Sequence, residues 1–273
     1  MLKLLIKVSR PIFWVLGPLI IASGIIYSGS GSSFNTLAII QMILASFPLS
    51  FVCFGINDIY DYESDRINRR KNSINGAVLN PKYHKLVFNL SIILSAVLLL
   101  SSIFTGNIVN IVSMSVLLVL VYGYSMPPLR LKQRPVIDSL SNGMMVLLLF
   151  MTGFSYSKGV ADMDIRIFLA ALCVAGVHSY TTLVDYSTDK LVGDRTFAVV
   201  LGKRATTMFP LVIFLTTLFF GKFGEIVNTF LLFCMSLFFI SAVFPSEKLA
   251  KFFSYIIFIG TVFTAIFYLS SLV

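Results

Sequence analysis

The chain has few charged residues for its length. Only 12% of its 273 residues are Asp, Glu, Lys or Arg, whereas 57% are hydrophobic. A soluble domain of this size needs far more polar surface, so the composition argues against a soluble globular protein. Cysteine is also scarce, because Cys53, Cys173 and Cys234 lie singly in apolar stretches. This usage argues against a disulfide framework or a thiolate metal site and favours packing roles.

Long apolar runs make up most of the sequence. A bilayer is crossed by roughly 20 helical residues, and nine runs reach or nearly reach that length. They are continuous, whereas β-barrel strands would alternate over short segments. The sequence therefore predicts an all-α integral membrane protein, a bundle of nine transmembrane helices forming a single domain over 1–273. The predicted spans are about 11–29, 36–57, 84–104, 107–125, 137–156, 165–184, 207–221, 226–243 and 252–272.

The basic residues predict the orientation, because loops rich in Lys and Arg stay in the cytoplasm. With nine spans and the amino terminus inside, all of the 21 basic residues except Lys158, Arg166 and Lys222 fall on the cytoplasmic side. The net charge of +9 is then explained by membrane topology and by contact with anionic lipids. We do not expect nucleic-acid binding. We expect a multi-pass protein of the cell membrane with a cytoplasmic amino terminus.

Half of the 12 acidic residues fall in two short segments at the ends of apolar runs. In a helix, steps of three, four and seven residues share one face. Clustered carboxylates repel unless a cation neutralises them, and hard oxygen ligands favour magnesium with a phosphate-bearing substrate. The residues on the predicted faces are Asn57, Asp58, Asp61 and Asp65 in the first segment, and Asp185 and Asp189 in the second.

Basic side chains near these segments would complete a diphosphate site. Arg130 and Lys132 lie in the proline-containing segment 124–135, and Lys71 and Arg195 follow the two acidic segments. Each aspartate pair can hold one metal ion, and Arg or Lys takes up the remaining phosphate charge. If the diphosphate belongs to an allylic prenyl chain, the same charges stabilise the leaving pyrophosphate. These cations could equally be positive-inside anchors.

Four motifs together resemble the UbiA superfamily of intramembrane prenyltransferases. They occur in the expected order over almost the whole chain. The resemblance implies a nine-helix bundle with a central cavity, open laterally to lipid and capped by the loops after the second and sixth helices. The motifs are Asn57-Asp58-x-x-Asp61-x-x-x-Asp65, the segment from Tyr124 to Lys132, Asp185-x-x-x-Asp189, and the segment from Gly193 to Gly202.

The resemblance also implies roles for individual residues. The metal ligands that bind magnesium diphosphate would be Asn57, Asp61, Asp65, Asp185 and Asp189, with the four aspartates catalytic. The substrate-binding candidates are Asp58, Lys71, Tyr124, Arg130, Lys132, Asp138, Asn142 and Arg195. Asp138 has a second interpretation as a helix N-cap. His178 lies seven residues before Asp185 and is either a functional intramembrane group or a packing histidine.

Within the superfamily, three segments look most like the lycopene elongase branch. They are Ser9-Arg10-Pro11-x-Phe13-Trp14, the stretch from Asn57 to Gly76-Ala77, and the stretch from Arg134 to Gly143. The resemblance implies transfer of a five-carbon unit from dimethylallyl diphosphate to an end of a linear carotenoid such as lycopene, in some members with addition of water. The segment 68–71 departs from the pattern expected of this branch, because no proline follows its asparagine. The difference concerns the shape of the loop.

Other functions stay open from the sequence. The acceptor could be a quinone precursor, a chlorophyllide-like ring or geranylgeranylglyceryl phosphate. A cation-coupled transporter would also use carboxylates, but transporters more often place them at the membrane midplane beside broken helices. A third alternative is a bundle of the same kind that binds a lipid without chemistry.

Overall fold

The computed structural model describes residues 2–30, 34–67 and 78–271, with Ser30 and Ile67 described by backbone alone. Within these ranges the regular structure is helical and contains no strand, so the predicted all-α class is confirmed. The α-helices are α1 (Leu2–Val8), α2 (Leu16–Ile25), α3 (Thr36–Ala45), α4 (Phe47–Tyr60), α5 (Tyr62–Ile67), α6 (His84–Ile103), α7 (Ile108–Ser125), α8 (Ile137–Phe154), α9 (Ile165–Thr181), α10 (Tyr186–Val192), α11 (Phe197–Leu201), α12 (Lys203–Gly221), α13 (Glu225–Val243) and α14 (Glu247–Ser270).

The described ranges contain nine helical segments that are long and apolar enough to cross a membrane. Each coincides with a predicted apolar run, so the prediction of a nine-span membrane protein is confirmed. The seventh run is short in the sequence, but its helix already begins at Lys203 and reaches 19 residues. The nine segments are Pro11–Gly29, Thr36–Tyr60, Pro81–Ile103, Ile108–Ser125, Ile137–Phe154, Ile165–Val192, Lys203–Gly221, Glu225–Val243 and Glu247–Ser270.

The second span is broken near its middle. Ser46 has φ −76° and ψ −113°, so it ends α3 and precedes α4. Pro48 explains the break, because a proline lacks an amide hydrogen and its ring clashes with the preceding turn. Proline is tolerated in the first turn of α4, which then runs without interruption to the first acidic segment.

The chain divides into two compact units, and the division falls within α8. The first unit consists of Met1–Arg130 and Leu148–Ala161. In this unit α4 packs against α6 and α7, and α2 packs against α3. The end of α8 lies so close to α2 that a Cβ on Gly153 would overlap the carbonyl oxygen of Ile21. The prediction of a single domain over 1–273 stays a prediction.

A buried polar cluster joins four elements of the first unit. Gln41 of α3 donates to Ser102 Oγ at 3.0 Å and to Asn110 Oδ1 at 2.9 Å. Asn110 of α7 donates in turn to the carbonyl oxygen of Thr152 in α8 at 2.8 Å. Tyr156, just after α8, donates to Gln41 Oε1 at 2.9 Å. These bonds satisfy polar groups that would otherwise be costly to bury between helices.

The second unit consists of Leu131–Leu147 and Asp162–Val273. Its core is aromatic, and the fully buried ring of Tyr180 meets Phe238 edge to face at 5.0 Å. Phe214 packs on the same phenylalanine at 5.1 Å, so α9, α12 and α13 share one core. A Cβ on Gly143 would lie 2.5 Å from the carbonyl oxygen of Ala171, which shows how closely α8 approaches α9.

Candidate active site

The first acidic segment lies at the carboxyl end of α4. Asn57 Nδ2 donates to Asp61 Oδ2 at 2.8 Å and to Ser125 Oγ at 3.3 Å. Ser125 is the last residue of α7, so the amide links the ends of two helices. The predicted face shared by Asn57 and Asp61 is therefore present, and Asn57 orients the carboxylate of Asp61.

Asp61 forms a joint between two helices. It has φ −102° and ψ 6°, the bridge conformation in which many active-site residues are found. Its amide still bonds to the carbonyl oxygen of Asn57 at 2.9 Å, and the amide of Asp65 bonds to the carbonyl oxygen of Asp61 at 2.8 Å. The backbone thus continues with helical spacing from α4 into α5, and Asp65, only 4% exposed, lies one turn beyond Asp61.

Asp58 forms an ion pair with a residue of the amino-terminal segment. Its carboxylate is fully buried and lies 3.0 Å from the guanidinium of Arg10, whose side chain is 15% exposed. That guanidinium also stacks over the ring of Phe54 at 4.2 Å. Arg10 itself has φ 48°, a left-handed conformation that is uncommon outside glycine. An ion pair therefore fixes the segment after α1 to the middle of the acidic motif, and proximity of Asp58 to a diphosphate stays a prediction.

The segment after α7 carries two of the predicted substrate residues. Tyr124 lies in the last turn of α7 and is half-buried. Arg130 has φ 38°, and its amide bonds to the carbonyl oxygen of Met126 at 2.9 Å. Its Nε is buried and has no hydrogen-bond partner among the described residues. A strained backbone and a buried guanidinium nitrogen of this kind are typical of a position that binds an anion.

The second acidic segment forms a similar joint between α9 and α10. A 3-10 turn, Thr182–Asp185, separates the two helices, where the sequence predicts a continuous helix. Asp185 has φ −109° and ψ 10°, close to the conformation of Asp61. Asp189 follows one turn later inside α10, and both carboxylates are half-buried. Gly193 then ends α10 with φ 77°.

Two hydrogen bonds fix the loop that follows α10 in the second unit. Gln133 Nε2 donates to Asp194 Oδ1 at 2.8 Å, and the amide of Ala198 donates to Thr182 Oγ1 at 3.1 Å. The sequence does not single out Gln133 or Thr182, because their partners lie 61 and 16 residues away and no local spacing reveals them. Together they tie the segment containing Lys132 and the Gly193 to Gly202 motif to the Asp185 joint.

Asp138 is the second residue of α8, so it lies inside the helix and is not the N-cap. Its Oδ1 accepts from the amide of Ser139 at 2.6 Å and from Ser139 Oγ at 3.1 Å. Asn142, one turn later, donates to the carbonyl oxygen of Asp138 at 2.9 Å. Ser139 Oγ also lies 3.3 Å from His178 Nδ1 of α9, so the structure brings His178 and Asp138 to the same hydroxyl group.

The remaining predicted cations are only partly described. Lys132 is half-buried in the short turn Leu131–Gln133, and Arg195 is exposed. Lys71 lies outside the described residues. In the part of the chain that the structure covers, no three side chains of His, Cys, Asp or Glu lie close enough to hold a metal ion. An ion at either joint would therefore need oxygen ligands beyond these carboxylates.

Comparison with known proteins places this arrangement in a family. A lycopene elongase/hydratase of Haloarcula japonica is 29% identical over 225 residues, which cover 82% of this chain and 75% of the relative. A second lycopene elongase/hydratase, from Corynebacterium glutamicum, is 26% identical over 216 residues, or 78% of this chain and 75% of the relative. The resemblance to the lycopene elongase branch is thereby confirmed.

The fold comparison covers nearly the whole chain. The structure of a UbiA homolog from Archaeoglobus fulgidus bound to DMAPP and Mg2+ has a TM-score of 0.70 at 20% identity and covers 98% of both chains. Identity this low shows the fold alone, which is the predicted one. The model of the UbiA prenyltransferase family matches residues 15–253. The chain belongs to the UbiA prenyltransferase family and is a membrane-embedded prenyltransferase.

Proposed function

We propose that this enzyme is a magnesium-dependent prenyltransferase that ionises an allylic prenyl diphosphate and alkylates a linear carotenoid such as lycopene. The observation that carries the proposal is the pair of acidic joints. Asp61 and Asp185 share one backbone conformation, each with a second aspartate one turn later. Each joint could hold one magnesium ion, which would help to bind the oxygens of a diphosphate.

The oxygen ligands at the two joints are of the kind that magnesium prefers. Magnesium is commonly bound by one or two carboxylates together with substrate phosphate oxygens, not by a complete protein cage. The joints supply just such partial sets: Asn57, Asp61 and Asp65 at the first, and Asp185 and Asp189 at the second. When bound, magnesium supplies Lewis-acid stabilisation of the leaving diphosphate. The relative from Archaeoglobus fulgidus was solved with DMAPP and Mg2+, which supports the same pairing here.

Basic side chains neutralise the charge that the metal ions leave on the diphosphate. Arg130 is the best placed, because its buried Nε has no hydrogen-bond partner among the described residues. Lys132 and Arg195 act from the loops of the second unit, and Lys71 is proposed from the sequence alone. As the carbon–oxygen bond breaks, its electron pair stays on the diphosphate. These cations stabilise the negative charge that develops there.

The prenyl chain and the acceptor occupy the apolar interior. From the family resemblance we propose Tyr124, Asn142, Asp138 and Asp58 as further substrate-binding residues. The carbocation formed at the donor is attacked by a carbon–carbon double bond of the acceptor, whose electron pair forms the new carbon–carbon bond. The carbocation that this leaves on the acceptor then loses a proton, or takes up water and loses a proton, to give a neutral product. The two relatives named lycopene elongase/hydratase support a carotenoid as the acceptor.

The orientation is part of the proposal. The acidic joints face the cytoplasm, where water-soluble dimethylallyl diphosphate is made available. In a variant without native cysteines, a single cysteine at Ser187 should react with an impermeant thiol reagent only in inside-out vesicles. A cysteine at Lys158 should react only in right-side-out vesicles. Reaction of both cysteines from one side would refute the predicted topology.

The direct experiment is prenyl transfer by detergent-purified protein. Labelled dimethylallyl or geranylgeranyl diphosphate is supplied with and without magnesium, against lycopene, a phenolic acid and a glycerol-phosphate lipid. We expect a magnesium-dependent product from dimethylallyl diphosphate and lycopene. Product from the phenolic acid or the glycerol-phosphate lipid alone would refute the carotenoid assignment and leave the prenyltransferase chemistry intact.

Matched variants test the two joints. Asp61→Asn and Asp185→Asn preserve side-chain size and remove one charge, and we expect each to lower product formation by about 100-fold or more. Asp162→Asn is the control, because Asp162 lies in the turn before α9, away from both joints along the chain. Full activity of either joint variant would refute the proposed metal sites, and loss of activity in the control would show a general effect of lost charge.

A further inference from the structure

The last spanning helix is hydrogen-bonded to the helix of the second acidic joint. Glu247 is the first residue of α14, and its Oε1 accepts from the amide of Ser187 at 3.2 Å. The hydroxyl group of Ser187 donates to the same oxygen. Ser187 is the second residue of α10, the helix that also carries Asp189. The diphosphate chemistry proposed above uses neither Glu247 nor Ser187.

The amide that Glu247 accepts from is one that a helix usually satisfies with its own N-cap residue. The first amides of a helix have no partner within it, and an N-cap aspartate commonly accepts from the second or third of them. Asp185 is the N-cap residue of α10, but its side chain makes no capping hydrogen bond. Glu247 accepts from the second amide instead, and its negative charge suits the amino end of a helix. The residue proposed to bind the metal ion is therefore not the residue that caps α10.

Lys203 holds Glu247 in this position. Its Nζ, at the start of α12, lies 3.7 Å from Glu247 Oε1 and 4.5 Å from the centroid of the Tyr186 ring. Tyr186 is the first residue of α10 and packs against the aromatic core of the second unit. The ends of α10, α12 and α14 therefore meet in one cluster. The Lys203 and Glu247 side chains are 33% and 30% exposed, so the ion pair itself contributes little, and the bonds to Ser187 provide the main constraint.

We propose that Glu247 is a positioning residue for the magnesium site at the second joint. The inference rests on the proposed function. Glu247 fixes the first turn of α10 and so holds Asp185 and Asp189 at the spacing that the ion requires. Without Glu247, the amide of Ser187 would lose its acceptor, and the carboxylate of Asp185 is the N-cap group that can replace it. A carboxylate turned toward α10 would no longer have the orientation needed for the ion.

Binding of inorganic diphosphate tests this role without turnover. Radiolabelled inorganic diphosphate is equilibrated with detergent-purified protein, with and without magnesium. Glu247→Ala removes the acceptor, and loss of a cap corresponds to about a fivefold change in an equilibrium constant. We expect the dissociation constant of diphosphate in magnesium to rise about fivefold, with no change in the weak binding that needs no magnesium. Glu247→Gln has an acceptor oxygen at the same place and should stay within about twofold of the unmodified protein.

Glu225→Ala is the matched control. Glu225 is the first residue of α13, as Glu247 is of α14, and it is exposed. It follows the far end of α12, whose 19 residues extend roughly 27 Å from Lys203. We expect its diphosphate binding to be unchanged. Hydrogen exchange adds a readout that needs neither metal nor substrate: amides of α10 should exchange about fivefold faster in Glu247→Ala and at the unmodified rate in Glu225→Ala.

The outcomes separate this inference from the proposed function. The inference is overturned if Glu247→Ala binds diphosphate in magnesium as tightly as the unmodified protein, or if exchange in α10 is unchanged. A loss in Glu247→Gln equal to that in Glu247→Ala also overturns it, because Glu247 would then act through its charge, as a metal ligand does. If the unmodified protein shows no magnesium-dependent binding of diphosphate, the proposed function is wrong and this inference is overturned with it.

Discussion

Removal of the Arg10 guanidinium should destabilise the protein strongly. Asp58 is fully buried, and its Oδ1 lies 3.0 Å from Arg10. Loss of one partner from a buried ion pair costs about 3–5 kcal/mol, because the other charge stays in a poorly solvating environment. Arg10→Ala also removes the stacking on Phe54 at 4.2 Å, which contributes roughly 0.5–2 kcal/mol. We therefore expect a free energy of unfolding that is lower by at least about 3 kcal/mol.

The chain contains a convenient probe for this measurement. Trp14 is its single tryptophan, and its indole nitrogen donates to the carbonyl oxygen and the hydroxyl group of Ser9, at 3.2 and 3.1 Å. Its fluorescence should follow release of the amino-terminal segment during unfolding of micellar protein by SDS. Arg166→Ala is the matched control, since the Arg166 and Asp164 side chains are 40% and 36% exposed. Such a surface pair contributes about 0–1 kcal/mol.

A double-mutant cycle separates charge from packing. If the cost arises from the buried charge of Asp58, then Asp58→Asn should be much less harmful in the Arg10→Ala background than alone. Equal costs in both backgrounds would show that the two residues do not interact. A cost for Arg10→Ala no larger than that for Arg166→Ala would refute the reasoning, because the pair would then behave as a solvated one.

Three further outcomes follow from the packing of the first unit. Gln41→Leu should lower stability by about 2 kcal/mol in thermal unfolding, because it leaves buried polar partners without their hydrogen bonds. Burial raises the pKa of Tyr156 to about 12, so stability should hold to about pH 10 and decline from there to about pH 12, and Tyr156→Phe should lessen that decline. Gly153→Ala should cost about 1–3 kcal/mol through its clash with Ile21, whereas Gly224→Ala, whose Cβ would meet open space, should be neutral.

Much of the fold could be predicted because hydrophobicity is a local property. Each apolar run specifies its own helix, and all nine predicted spans coincide with helical segments of the described chain. The breaks within spans are harder to read. Pro48 is a visible signal for the end of α3, but nothing in the pattern of Asp185 and Asp189 separates a continuous helix from a 3-10 turn followed by a new helix. Both arrangements place the two carboxylates about one turn apart.

The partners of the site residues could not be predicted from the sequence. Arg10 and Asp58 are 48 residues apart, and Asn57 and Ser125 are 68 residues apart. Contacts at such separations depend on how helices pack, which a hydrophobic pattern does not specify. The motif around Arg10 did identify the residue, but as part of a family resemblance and not as the counter-charge of Asp58. Residue types could thus be predicted, and their pairing required the structure.

The two acidic joints are similar in backbone but not in chemistry, and the difference lies four residues before each joint. In the first, that residue is Asn57, whose amide donates to Asp61 at 2.8 Å and whose oxygen is one of the proposed metal ligands. In the second, it is Thr181, whose hydroxyl group donates to the carbonyl oxygen of His178 at 2.7 Å. That bond directs the side chain of Thr181 to the backbone of its own helix. If the proposed metal sites are correct, the first joint supplies a neutral ligand and two carboxylates, and the described part of the second supplies two carboxylates. We therefore expect an ion at the second joint to depend more on diphosphate oxygens and to bind only with the donor, whereas the first joint should retain an ion between turnovers.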